Sequence, residues 1–318
     1  ELVRKNWVNE GLQANTRMQN VTRDGNIYYS EERHSAYIYL TTVDLQTGEI
    51  LGQPRRLTDR YPGVQTQPSW SKDGQSIMFA VGREQRRFVS MSMTSEAQRE
   101  YPEAQALTNA IAHYSSSKNG DFLIVQSWLE GGSIHRYELA SGKTETMANT
   151  QKLWKPELSP DGGSLYYIGW ESVKNADKPV EYKYHIGKRD MRSGKDEVVY
   201  ESVNSWSRIK LSPDGQKLAV NTRDQKGIRN IIKILSWRGG ETKEFVQPLG
   251  APIDSLAWAP DGKRVVYTTG GWGDSPARNI SEIWSMTIDS GKAVRINFSR
   301  PNITDIAVHP DGRQIAFR

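Results

Sequence analysis

Apolar and polar residues alternate in short runs along this chain, and no segment sustains the 3.6-residue period of an amphipathic helix. The runs come in pairs about a tight bend. Around Asp214, Leu211-Ser212-Pro213-Asp214-Gly215 leads into the bend and Leu218-Ala219-Val220 leaves it. The phrase returns at Asp73, Asp161, Asp261 and Asp311, and in weaker form at Asp24 and Asn119. Pro fixes φ before the bend, Asp bonds the backbone just beyond it, and Gly accepts the positive φ that other residues resist. The β-branched or aromatic run that follows is strand-forming. The bends recur at intervals of roughly 40–50 residues, the size of one four-stranded propeller blade.

Each repeat reads as strand, Asp-Gly turn, strand, loop, strand, second turn, strand. Seven bends predict an all-β chain, a seven-bladed β-propeller of four-stranded antiparallel blades, with a six-bladed ring as the alternative. In the first repeat, residues 37–40 and 55–58 read as the third and fourth strands. The last repeat is incomplete: residues 304–308 and 315–317 form one hairpin, and two further strands are wanted. Open sheet edges invite aggregation, and propellers close by borrowing strands from the opposite terminus. Residues 1–15, with a candidate outer strand at 2–8, are the expected donors for blade seven, unless its missing strand lies beyond Arg318. The chain is expected to be a single propeller domain over residues 1–318.

Composition changes this picture little. The 318 residues carry 42 Lys+Arg against 37 Asp+Glu, a formal net charge of +5 with no run of like charge, which argues against a nucleic-acid partner. Ten Trp and 14 Tyr suit blades that pack through large aromatic bodies with polar tips. There is no Cys, hence neither disulfide nor thiolate chemistry, which suits an exported bacterial protein. No apolar stretch is long enough to span a membrane as a helix. The first residues lack the form of a signal peptide.

The phrases Leu211-Ser212-Pro213-Asp214-Gly215, Trp258-Ala259-Pro260-Asp261-Gly262 and Val308-His309-Pro310-Asp311-Gly312 resemble those of the TolB-like β-propeller family, the Pro-Asp-Gly relatives of the Trp-Asp repeats. Arg56-Leu57-Thr58 and Glu282-Ile283-Trp284-Ser285-Met286 are similar to further phrases of that family, and the resemblance runs from Val21 to Phe317. It implies a periplasmic or otherwise extracytoplasmic module that binds a protein, a peptide or a small ligand, or one attached to a larger hydrolase or peptidase. This chain departs from the pattern at Asp24 and Asn119, where Pro is missing, and Asn119 replaces the Asp.

Catalytic motifs are scarce. Gly271-Trp272-Gly273-Asp274-Ser275 lacks the form of a nucleophile elbow and reads as a Gly-rich loop. The five His residues are spread over four repeats, so no metal cage and no cofactor is expected. One constellation stands out when the repeats are aligned on the turn Asp. The positions four and six residues before it are small or polar, and by strand alternation they share a face. On an innermost strand that face sees the central channel. The candidate channel site is His113, Lys155, Glu157, Arg208, Lys210 and Asp305, with Asn20, Gln67, Ser69, Ser115 and Ser255 at equivalent positions. These charges either pair among themselves or form a mildly cationic funnel for an anionic ligand or a partner's carboxylate. Arg60, Tyr61, Trp170 and Trp272, in or beside the mouth loops, are the candidate partner contacts, because aromatics and Arg dominate binding hot spots. Trp154 and Trp206 also lie beside the mouth but read equally as packing between blades. The favoured expectation is a non-catalytic propeller that binds a protein or peptide at the channel mouth. An accessory propeller gating a larger enzyme is the alternative. A lyase acting on a sugar acid through His113, Arg208 and Lys210 is the weaker one.

Overall fold

The computed structural model describes residues 16–318 apart from 22, 25–26, 32–34, 62, 83–86, 102–110, 118–119, 128–132, 149–152, 174–180, 203–205, 224–229, 237–241, 248–251 and 271–279. Every element among the described residues is a strand. Strands β1 (Thr16–Val21) and β2 (Ile27–Glu31) form a two-stranded sheet. The remaining strands build six four-stranded antiparallel sheets. The first blade is β5 (Gln65–Trp70), β6 (Ser76–Val81), β7 (Arg87–Ser92) and β8 (Gln98–Glu100). The second is β9 (Ile111–Ser116), β10 (Phe122–Ser127), β11 (Ile134–Glu138) and β12 (Thr144–Ala148). In the third, β13 (Leu153–Leu158) and β16 (Asp196–Ser202) flank a long hairpin, β14 (Ser164–Val173) and β15 (Glu181–Asp190). The fourth comprises β17 (Trp206–Leu211), β18 (Lys217–Arg223), β19 (Asn230–Ser236) and β20 (Lys243–Val246). The fifth comprises β21 (Ile253–Trp258), β22 (Arg264–Thr269), β23 (Ile280–Thr287) and β24 (Ala293–Pro301).

The sixth blade closes the ring and corrects the expected blade count. Strands β25 (Ala307–Val308) and β26 (Gln314–Phe317) are joined in one sheet by β3 (Tyr39–Thr42) and β4 (Arg55–Arg56). Ile315 pairs with Thr41 and Ala316 with Leu40. The stretches read as the outer half of a first blade are therefore the outer half of the last one. The repeat around Asp24 supplies no blade; its hairpin is the separate β1–β2 sheet. With six blades instead of seven, the vacant edge of β26 is filled by β3, and no strand from residues 1–15 is required in that sheet. Those residues, including the proposed strand at 2–8, lie outside the described residues.

The turns form as their residue types dictate. The Oδ1 atoms of Asp73, Asp214 and Asp311 accept the N–H two residues on, at 3.0, 3.0 and 2.7 Å. The Ser71 and Ser212 hydroxyls each donate to the turn Asp at 2.6 Å and accept the N–H of Ser76 or Lys217 at 2.9 Å. Gly74 and Gly215 take φ of 71° and 69°. Each turn thus closes its own polar groups locally, which frees both faces of the following strand for burial.

Adjacent residues on the second strands enter different cores. Tyr166 packs toward the fourth blade and Tyr167 toward the second; Val265 packs toward the fourth blade and Val266 toward the sixth. Six apolar clusters occur among the described residues, one for each pair of neighbouring blades. Burial on both faces explains why these strands are nearly continuous hydrophobic runs. The seam between the sixth and first blades has polar staples as well. Gln65, fully buried, receives the Ile38 N–H at 3.3 Å and donates to the Tyr61 carbonyl at 2.9 Å. The Trp70 indole donates to the Ala307 carbonyl at 3.4 Å, and His309 Nε2 lies 3.1 Å from the Gly74 carbonyl.

Two outcomes follow for stability. A Cβ on Gly74 would stand 2.3 Å from His309 Nε2, whereas one on Gly162, at a matching φ of +74°, would meet nothing within 4 Å. Gly162→Ala is expected to lose only the cost of its left-handed backbone, about 1 kcal/mol, and Gly74→Ala about 2 kcal/mol or more, because the closing seam must also shift. Urea unfolding of the two variants measures the difference. The second outcome concerns acid. The Ser71 hydroxyl and the Gln75 N–H hold the Asp73 carboxyl below its ordinary value, and the Ser212 hydroxyl does the same for Asp214 against an opposing burial effect. Folded carboxylates that bind protons more weakly than unfolded ones contribute fully above about pH 4 and lose that contribution as the pH falls further. An Asp73→Asn, Asp214→Asn variant is expected to have a lower urea midpoint than the parent at pH 7. That gap should narrow at pH 3.

Candidate functional site

The innermost strands β5, β9, β13, β17 and β21 and the start of the sixth blade surround the central channel, and each named strand is broken at the same place. Thr66 pairs with Ala80 but Ser69 with Met78, so Gln67 and Pro68 together oppose a single residue. The same two-against-one step occurs between Trp154 and Glu157. Single extra residues interrupt the register at Trp206/Arg208 and at Ile253/Ser255, and β9 shifts where Gln126 and Ser127 face it. A bulge bends the strand and re-aims its side chains. At Gln67, Lys155 and Asp305 the backbone is left-handed, with φ of 55°, 53° and 49°. Each such non-glycine residue costs about 1 kcal/mol or more and persists only where its surroundings over-determine it.

Those surroundings are on neighbouring blades. Gln126 of the second blade accepts the Lys155 N–H at 3.0 Å and donates to the Leu153 carbonyl at 3.3 Å. Asp305 Oδ2 accepts the Gln67 N–H at 3.3 Å, and the Tyr114 hydroxyl donates to the Gln67 carbonyl. Asn221 donates to the Ile253 carbonyl at 3.3 Å. Ser115 and Ser255 accept the N–H groups of Leu158 and Ile306 at 3.1 and 3.0 Å, so these two channel serines join blades.

The bulged segments enclose a cavity of about 320 Å³, into which Lys155, Glu157, Arg208, Lys210, Asp305 and Arg318 all project. Of the equivalent polar positions, Gln67, Ser69, Ser115 and Ser255 also line it, while Asn20 belongs to the separate two-stranded sheet. His113 occupies its expected register position opposite Gln126, but its side chain lies outside the described residues. Toward the Asp-Gly turns the channel widens into a vestibule of about 1080 Å³, whose wall includes Trp70, Leu158, Pro160 and Pro213.

Four basic side chains therefore meet two carboxylates. Lys210 forms an ion pair with Glu157, which is almost fully buried, and Arg318 stands 3.6 Å from Asp305. Arg208 donates through Nε to the Asp254 carbonyl at 2.5 Å. Among the described residues the Lys155 amine has no ion-pair partner within 4 Å. Burial first, and then Arg208 and Lys210, pushes it down to about 8, against the opposing pull of Asp305 and Glu157. Burial lifts the Asp254 carboxyl to about 6; Arg208 offsets part of the rise and Asp305 adds to it. Burial likewise raises the Tyr114 hydroxyl. No group of His, Asp or Glu able to hold a metal ion occurs among the described residues.

The mouth candidates divide. Tyr61 is core: its ring packs at the seam of the first and sixth blades and its hydroxyl donates to Glu100 at 3.0 Å. Arg60 is exposed, its guanidinium 5.7 Å from the Tyr61 ring. Trp170 is half-buried on the long third-blade hairpin, edge-on to Tyr182 at 5.6 Å. Tyr182 and Trp154 are 49% and 40% exposed. Trp272 lies outside the described residues. Sequence reasoning passed over Arg318, Tyr114 and Asp254. Pro68 and Pro156 carried a readable signal of the bulge, because Pro cannot donate to a ladder and marks an irregular strand.

Asp254 gives a test of this electrostatic balance. Its folded carboxyl binds a proton more tightly than the unfolded one, so the group erodes stability as the pH rises from about 4 to 6. Asp254→Asn is expected to stabilise the protein at pH 7 by about 1 kcal/mol, after discounting for partial exposure, and to leave it unchanged at pH 4. Paired urea titrations at the two pH values provide the check.

No protein-family model matches the chain, and no curated protein matches it in sequence. Solved structures do match it in shape. A putative TolB from Agrobacterium tumefaciens aligns with a TM-score of 0.67 at 17% identity, covering 88% of this chain and 97% of that one. TolB from Acinetobacter baumannii gives 0.64 at 16% identity, over 87% of this chain and 67% of that one. A chain of a nidogen/laminin complex gives 0.57 at 12% identity, over 87% of this chain and 96% of that one. The protein has the TolB-like β-propeller fold.

Proposed function

We propose that this TolB-like propeller is a binding module that takes an acidic peptide segment of a protein partner into the mouth of its channel. The observation that carries the reading is the excess of basic groups in a cavity of defined shape: among the described residues that line it, Lys155, Arg208, Lys210 and Arg318 outnumber Glu157 and Asp305. Lys210 is engaged by Glu157, which leaves Arg208 and Lys155 as the groups with the most free capacity for an incoming carboxylate. Arg suits that task because its planar fork meets a carboxylate with two parallel hydrogen bonds. The site is partly desolvated, so such contacts are screened less than at an open surface. Exposed Trp154 and Tyr182, with Trp170 beside Tyr182, supply apolar anchoring area on the third blade. A protein complex occurs among the structures of similar shape, which supports the choice of a protein partner. The reading includes a location outside the cytoplasm, periplasmic in a bacterium, a setting suited to a chain without Cys.

Fluorescence polarisation with a labelled Asp-Glu tetrapeptide bearing a free C-terminal carboxylate tests this. Binding is expected to weaken steeply with salt and to fall about tenfold, roughly 1.4 kcal/mol, in an Arg208→Gln variant. A matching Lys tetrapeptide should not bind. Equal affinity for both peptides, or no change in the variant, removes the proposal.

A further inference from the structure

We infer that the amine of Lys155 is a nucleophile, placed to capture a small carbonyl compound bearing an anionic group as an imine inside the channel. The side chains around it are what separate this lysine from the others. It springs from a left-handed bulge residue whose N–H is held by Gln126, so its stem is aimed by the backbone into the cavity wall. The other basic groups are engaged: Lys210 by Glu157, Arg318 by Asp305, and Arg208, through Nε, by the Asp254 carbonyl. Lys155 has no such partner within 4 Å among the described residues.

The charged groups that face it are Arg208 and Lys210 from the fourth blade, Glu157 from its own strand, and Asp305 and Arg318 from the sixth blade. Burial disfavours a positive charge on Lys155, and Arg208 and Lys210 work in the same direction. A lysine desolvated or set next to another cation is the activated form of this nucleophile. Among the described residues Arg208 is engaged through Nε alone, so one ligand can place its carboxylate on the terminal guanidinium nitrogens of Arg208 and its carbonyl carbon toward Lys155.

The step balances without an oxidant or reductant. The neutral amine's lone pair forms the C–N bond as the carbonyl π pair moves to oxygen. That oxygen then leaves as water with both amine protons, and C=N remains. The cavity of about 320 Å³ is large enough to admit such a small carbonyl compound. The inference shares a cavity with the peptide-binding proposal but does not depend on it.

The probe is glyoxylate, a two-carbon aldehyde carrying a carboxylate, with cyanoborohydride added to reduce the imine to a stable carboxymethyl-amine. Peptide mapping by mass spectrometry then gives the modification rate at each lysine. At pH 7 Lys155 is expected to react at least about tenfold faster than exposed Lys183 and Lys195, because its burial beside Arg208 and Lys210 favours the neutral amine. Its rate should level off above about pH 8. Arg208→Gln should slow glyoxylate at Lys155 more than acetaldehyde, which has no carboxylate and loses only the influence of Arg208 on the amine. A Lys155 rate no greater than that of Lys183 and Lys195 overturns the inference. If the acidic tetrapeptide still binds in that case, the binding-module proposal stands alone.

Discussion

Every blade of this protein must be buried on both faces, and that constraint organises everything else. A sheet whose second strand sends Tyr166 one way and Tyr167 the other cannot end a stack without exposing one of them to water. The six inter-blade clusters satisfy all blades at once because the series returns to its start. A ring has no terminal face. The one place where the covalent chain cannot enforce the return is the seam, and there β3 pairs with β26 while Gln65, Trp70 and His309 add polar links. Sheet closure by main-chain pairing also removes the open edge that β26 would otherwise present.

The channel is the geometric remainder of that closure. Six inner strands cannot converge on an axis, and bulges at one level let the backbone turn while side chains are redirected inward. Backbone strain at Gln67 and Lys155 is tolerable because a neighbouring blade fixes each bulge. Gln126 holds Lys155, and Tyr114 and Asp305 hold Gln67. The same contacts that stitch blades together therefore set the direction of the channel side chains. Structure and site are not separable here: loosening a staple would move a charge.

The charge set in the cavity is only partly self-compensated. The buried carboxylate of Glu157 has Lys210, and desolvating it without that partner would be costly. Lys155 and Asp254 show the residual tension from opposite sides, one amine pushed down to about 8 and one carboxyl pushed up to about 6. Burial is the leading cause for both. A perturbed group that lines a cleft, as Lys155 does, marks where binding and chemistry concentrate.

The amino-acid sequence by itself determined the repeat, the hairpin at each Asp-Gly, the all-β class and the polar face of the inner strands. These are local: a turn is decided by the φ of Pro and Gly and the reach of an Asp side chain, and a face by alternation. It also placed Lys155, Glu157, Arg208, Lys210 and Asp305 on one face, because equivalent positions of a repeat must be equivalent around an axis. What it could not decide was the partner of each strand across the ring. The hairpin at Asp24 has the same local pattern as the others, yet among the described residues its sheet has two strands, since β3 and β4 are taken by β26. Pairing between residues at opposite ends of the chain depends on which edge is left vacant, and that is known only once all six sheets are in place. The burial of Tyr61, the entry of Arg318 into the cavity and the meeting of Lys155 with Arg208 and Lys210 are likewise tertiary facts. They arise where blades meet, and no short window of sequence contains both sides of such a junction.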